Sequence, residues 1–147
     1  MKQVIYAMKF TGTAAPGAAA NVIKAATSSP STTVTSVIGA EGLQGTMTHV
    51  AGGKAEFESE VTMTGETSFT EKGSVRFGDD NRLHFTSFEH GYLGESADPK
   101  LRSGAVMWRV EGGEGQFAGA SGYITSNFTL GEAGEVIDHQ FGVIFVK

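Results

Sequence analysis

The chain has no cysteine, which excludes disulfides, thiolate zinc sites and a cysteine nucleophile. Proline is scarce, at three in 147 residues, and no Gly-X-Y period accompanies the 21 glycines. That excludes collagen and argues against a low-complexity coil. No apolar run approaches the ~18 residues of a membrane-spanning helix, so no membrane is expected as a partner. The opening Met-Lys-Gln-Val-Ile-Tyr carries no apolar signal-peptide core, and the chain reads as cytoplasmic. Lys and Arg number 11 against 16 Asp and Glu, for a net charge of -5, and the basic residues form no cluster. A nucleic-acid partner is therefore not expected. His49, His84, His90 and His139 show no His-x-His or His-x-x-x-His spacing and no facial triad, so no metal site is expected. Nucleophile elbow, phosphate loop and dinucleotide fingerprint are all missing, and no cofactor is implied.

What remains is patterned as a single β domain over residues 1–147. Val4, Tyr6, Met8 and Phe10 alternate onto one face of a first strand. The alanine-rich stretch that follows predicts either one short helix over about 17–27, ended by Ser28-Ser29-Pro30, or a loop. From residue 32 onward strand follows strand. In 54–63, Phe57, Val61 and Met63 share one face, while Glu56, Glu58 and Glu60 share the other. A row of like charges faces solvent, because burying unpaired carboxylates is costly. Gly78-Asp79-Asp80-Asn81 is a hairpin turn signal. Eight to ten strands with short connections imply antiparallel neighbours, and a sheet of that number curls into a barrel or a sandwich. Glycines within strands and phenylalanines spread over nearly every strand favour the barrel.

One segment is more specific. Gly112, Gly113, Gly115, Phe117, Gly119, Ala120 and Gly122 resemble the Gly-Gly-x-Gly-x-Phe-x-Gly-Ala-x-Gly pattern of allene oxide cyclase-like and dirigent-like proteins. The resemblance covers about a dozen residues and is structural rather than chemical. It implies an all-β, eight-stranded antiparallel closed barrel of calycin-like architecture, frequently trimeric, with an apolar cavity. It also implies a small apolar or aromatic ligand and assembly as a homo-oligomer, trimer or dimer. No functional motif aligns position by position, so no catalytic residue carries over.

The residues themselves offer candidates for chemistry. On a strand through residues 83–92, Leu83, Phe85, Ser87 and Glu89 share one face, and His84, Thr86, Phe88, His90 and Tyr92 the other. An inward Glu89 beyond Phe85 is suited to general acid/base work, with His90 as its partner; a solvated strand-end carboxylate is the plain alternative. Trp108, the only tryptophan, is core or cavity wall. Arg102 and Arg109 either hold an anionic ligand or form surface ion pairs. Tyr123, Thr125 and Asn127 share one face of their strand, and Asp138 and Gln140 one face of theirs. The two stripes either meet in the cavity or face out. Two functions follow. The first is an enzyme without a cofactor, of isomerase, cyclase or lyase type, using Glu89, His90 and Tyr123, with Trp108, Phe85, Arg102, Arg109 and Asn127 holding the ligand. The second is a ligand-binding or structural barrel without catalysis.

Overall fold

Alternation becomes strand throughout the computed structural model, which describes all 147 residues. The strands are β1 (Lys2–Pro16), β2 (Val22–Gly39), β3 (Gly42–Met63), β4 (Ser68–Phe77), β5 (Asn81–Ser87), β6 (Gly91–Glu95), β7 (Leu101–Glu114), β8 (Ser121–Gly131) and β9 (Glu135–Val146). A 3-10 turn at Gly115–Phe117 is the sole helical element, and no helix is long and apolar enough to cross a membrane. Every pairing is antiparallel. The order runs β3-β2-β1-β9-β8-β7-β5-β4, and a β3–β4 ladder from Ala55↔Phe77 to Met63↔Phe69 joins the two ends. The sheet thus rings through eight strands, and the short β6 bridges β4 and β7 at one rim.

The alanine-rich segment forms neither the short helix nor the loop expected over 17–27. Only a tight turn at residues 17–21 separates β1 from β2, and Ala14 pairs with Ala25. β2 is hydrogen-bonded on both edges here, to β1 and to β3, and that pairing overrides alanine's helical preference.

β2 leaves β1 after Ser28, and the register slips between Pro30 and Thr32. Pro30 has no N–H to donate, so a third strand cannot pair through it. From Thr32↔His49 to Gly39↔Gly42, β2 and β3 pair only with each other, as a two-stranded arm off the ring. Val34, Ile38, Leu43 and Met47 lie on one face of this arm, and Thr33, Thr35, Thr46 and Thr48 on the other. Ile38 is 86% exposed and Leu43 73%.

In the glycine segment, Gly115 (φ +63°) opens the 3-10 turn and Gly122 (φ +130°) is the second residue of β8. A Cβ on Gly122 would run into the Val143 carbonyl oxygen, so the close β8–β9 approach requires glycine there. Phe117 is buried against Phe77, ring centres 5.4 Å apart, and fills the rim opposite β6.

Inside the ring lies one core. Trp108 packs on Phe85 at 4.5 Å and on Phe57 at 5.3 Å, with Phe10 beside Phe57. Glu56, Glu58 and Glu60 face outward, and Arg76 and Lys54 pair with Glu56. An unsupported two-stranded ribbon is marginal in water. In the isolated monomer, amide hydrogen exchange of residues 32–49 is therefore expected to run at least 100-fold faster than that of β7–β9; equal protection in the monomer would contradict the free arm.

Candidate functional site

One rim of the ring is plugged by Phe117 and the other is not. At the unplugged rim a cavity of about 60 Å³, as seen by the centre of a water molecule, enters the interior between the β1–β2, β3–β4 and β8–β9 turns. At ~10–15 Å³ per water it holds about four to six heavy atoms. Ile23, Val61, Leu93, Leu130 and Val136 line it, together with Phe57, Phe69, Phe128 and Trp108. Four polar residues also line it: Thr27, Glu71, Ser126 and Asp138.

Strand parity puts them there. On β4, Phe69, Glu71, Val75 and Phe77 share the inward face, so Glu71 is buried because its strand is. Its Oε1 accepts from Trp108 Nε1 at 2.9 Å and its Oε2 from Ser59 Oγ at 2.6 Å. The Glu71 backbone N–H is fixed by Ser87 Oγ at 3.0 Å. On β9, Asp138 Oδ1 accepts from Ser126 Oγ at 2.6 Å and Oδ2 from Gln140 Nε2 at 2.9 Å. Tyr6, its hydroxyl inward, donates to Gln140 Oε1 at 2.9 Å and completes the chain. Thr27 Oγ1 is buried without a partner.

The energetics follow from burial. Loss of hydration raises the Glu71 pKa to about 7; the Ser59 and Trp108 hydrogen bonds oppose this and the Asp138 charge adds to it. Burial raises Asp138 to about 6, against hydrogen bonds from Ser126 and Gln140. Burial and the Asp138 charge together push the Tyr6 phenol well above its ordinary value. No Lys, Arg or His is buried, so the two carboxyls have no internal counter-cation.

The residues singled out from the sequence divide between inside and outside. Trp108 lines the cavity, and Phe85 is buried behind it. Asp138 and Gln140 face in, but Tyr123 and Asn127 face out, so those two stripes do not meet. Ser126, between them on the opposite face of β8, meets Asp138 instead. Of the two positions open to Glu89, the structure shows the solvated one and not the inward one on which its acid/base role depended. β5 ends at Ser87, and Glu89 stands exposed in a bend with φ +61°, so strand parity no longer applies to it. His90 is exposed beside it. Arg109 lies outside, 5.0 Å over the Phe88 ring, whose edge meets Tyr123 at 5.8 Å. Arg102 is exposed and reaches the Leu93 carbonyl at 3.4 Å. No group of three or more His, Asp or Glu is placed to hold a metal ion. Glu71 escaped the sequence reading, although its parity with Phe69, Val75 and Phe77 was there to be read.

Comparison with protein-family models, with curated proteins and with solved structures finds no match.

Both carboxyls bind protons more tightly folded than unfolded. Their contribution to stability is complete below about pH 4 and is lost as the pH rises through about 6 for Asp138 and about 7 for Glu71. Glu71→Gln removes one of the charges. It is expected to stabilise the fold at pH 8 by on the order of 2 kcal/mol and to change little at pH 5, as read by urea unfolding. Destabilisation at both pH values would contradict the assignment.

Proposed function

We propose that the ring is a closed antiparallel barrel of the allene oxide cyclase-like kind, and that it binds a small, largely apolar compound at its unplugged rim and moves a proton on it. The observation that carries this reading is a carboxyl, Glu71, buried among aromatic and aliphatic walls with an elevated pKa at the floor of a cavity. A compound larger than about four to six heavy atoms inserts only one end. Near pH 7 Glu71 is populated in both states, as a general acid/base requires. This supports an isomerase-type, cofactor-independent reaction centred on Glu71 and Asp138 instead of Glu89, His90 and Tyr123. A ligand-binding barrel without catalysis is the second reading, favoured by the small volume.

Trp108 reports on occupancy, because its indole lines the cavity and donates to Glu71. Titration with 2-butanone is expected to shift its emission saturably. Ala25→Phe, which fills the cavity, is expected to abolish the shift. In D2O the Glu71 carboxylate takes a proton from the carbon beside the carbonyl, the enolate oxygen is held by the Thr27 hydroxyl, and a deuteron returns to carbon. Deuterium uptake is expected to fall about 100-fold in Glu71→Gln. Saturable binding without Glu71-dependent exchange would establish the second reading, and no binding would overturn both.

The partner this reading assigns to the outer surface is a second copy of the chain. Ile5, Ala7 and Phe141 form a groove with the base of the arm, including Val34. Tyr123 and Phe145 extend the same outer face, at 46% and 37% exposure. An amphipathic ribbon too thin to be stable alone and an uncovered apolar face sit on one chain, and each supplies what the other lacks. Sedimentation is expected to show a homo-oligomer, reduced to monomer by Ile38→Ser with Leu43→Ser; a monomeric native chain would contradict this.

A further inference from the structure

The interior holds three titratable groups, Glu71 from β4, Asp138 from β9 and Tyr6 from β1, and none is a cation. Around Glu71, β3 contributes Ser59, β5 Ser87, β6 Leu93 and β7 Trp108. The other Glu side chains of β3 and the Lys and Arg of β4 point away from the cavity. Each of the four carboxyl oxygens already accepts one hydrogen bond, so in the ionised carboxyls the remaining capacity at the floor is acceptor lone pairs. Thr27 Oγ1, 6% exposed by residue and unpartnered, adds a further acceptor on the same wall. Four aromatic rings, Phe57, Phe69, Trp108 and Phe128, surround this acceptor set, and aromatic faces attract cations.

We infer that the group this cavity admits to its floor is a primary ammonium, carried on a short apolar chain, with Glu71, Asp138 and Thr27 as its acceptors. Three N–H donors then meet three acceptor side chains, and the two carboxyls gain the counter-charge the chain itself does not provide. A neutral alcohol or ketone of the same size offers at most one donor and no charge. This inference rests on the reading that the cavity binds a small molecule and concerns only the chemistry of the end that enters. It also fixes the sign of a proton effect. An ammonium favours the carboxylate form, so binding near pH 7 releases protons from the floor; a neutral ligand, by excluding water, favours the protonated form and takes protons up.

The test is isothermal titration of the full chain with butylamine and with 1-butanol at pH 7, in two buffers of different ionisation enthalpy. Dissociation constants in the ~mM range are expected for ligands this small. Butylamine is expected to bind at least 10-fold tighter than 1-butanol and to release protons. Glu71→Gln and Asp138→Asn are each expected to weaken the amine at least 10-fold while changing the alcohol less than about 3-fold. Thr27→Val is expected to weaken the amine alone. Equal affinity for the two compounds, or proton uptake with the amine, would overturn the ammonium assignment while leaving the cavity reading intact. Amine binding that persists in Ala25→Phe would place it on the acidic surface and overturn the assignment. Binding of neither compound would overturn the cavity reading and this inference together.

Discussion

Closure of the sheet by the β3–β4 ladder is the constraint on which the rest of this molecule depends. Once eight strands ring, each residue of a strand is either inside or outside, and parity assigns it. Glu71 is inside because Phe69, Val75 and Phe77 are, and Asp138 because Val136, Gln140 and Ile144 are. A carboxyl so placed loses its hydration, and each is compensated by two hydrogen bonds and no cation. The shifted titration, the cost at high pH and the acceptor-rich floor all descend from that placement.

The same geometry divides the labour along the axis of the ring. At one rim Phe117, Phe77 and Tyr6 pack together, 5.4 Å between successive ring centres. In the middle the Trp108, Phe85 and Phe57 cluster holds the walls apart. At the far rim Ala14, Ala25, Leu130 and Val136 line the cavity together with Phe69 and Phe128. Trp108 belongs to both regions: it anchors the aromatic core and holds the carboxyl through its indole N–H.

The all-β class, the strand over 54–63 and its inward stripe of Phe57, Val61 and Met63 were legible because period-2 alternation is a local signal. The hairpin at 78–81 was legible because its turn chemistry is. The first hairpin was not: Ala14 and Ala25 carry no strand preference, and only pairing on both edges of β2 makes them strand. Glu89 misled for a related reason, since parity carries no information past the end of a strand, and nothing local fixes β5's end at Ser87. Tyr123 and Asp138 were each read correctly as members of polar stripes. Which stripe is inside depends on ring closure, a long-range property. Glu71 was hidden by the rule that carboxylates face water, which its three strand-mates on the same face contradict.

The most direct test of this account is the titration of the Glu71 side-chain carboxyl, followed by carbon NMR of selectively labelled protein between pH 4 and 9. The account predicts a midpoint near pH 7, with Asp138 titrating about one unit lower. A Glu71 midpoint in the ordinary carboxylate range, about 4.5, would mean that the group is hydrated and would contradict the buried floor on which the proposed chemistry stands.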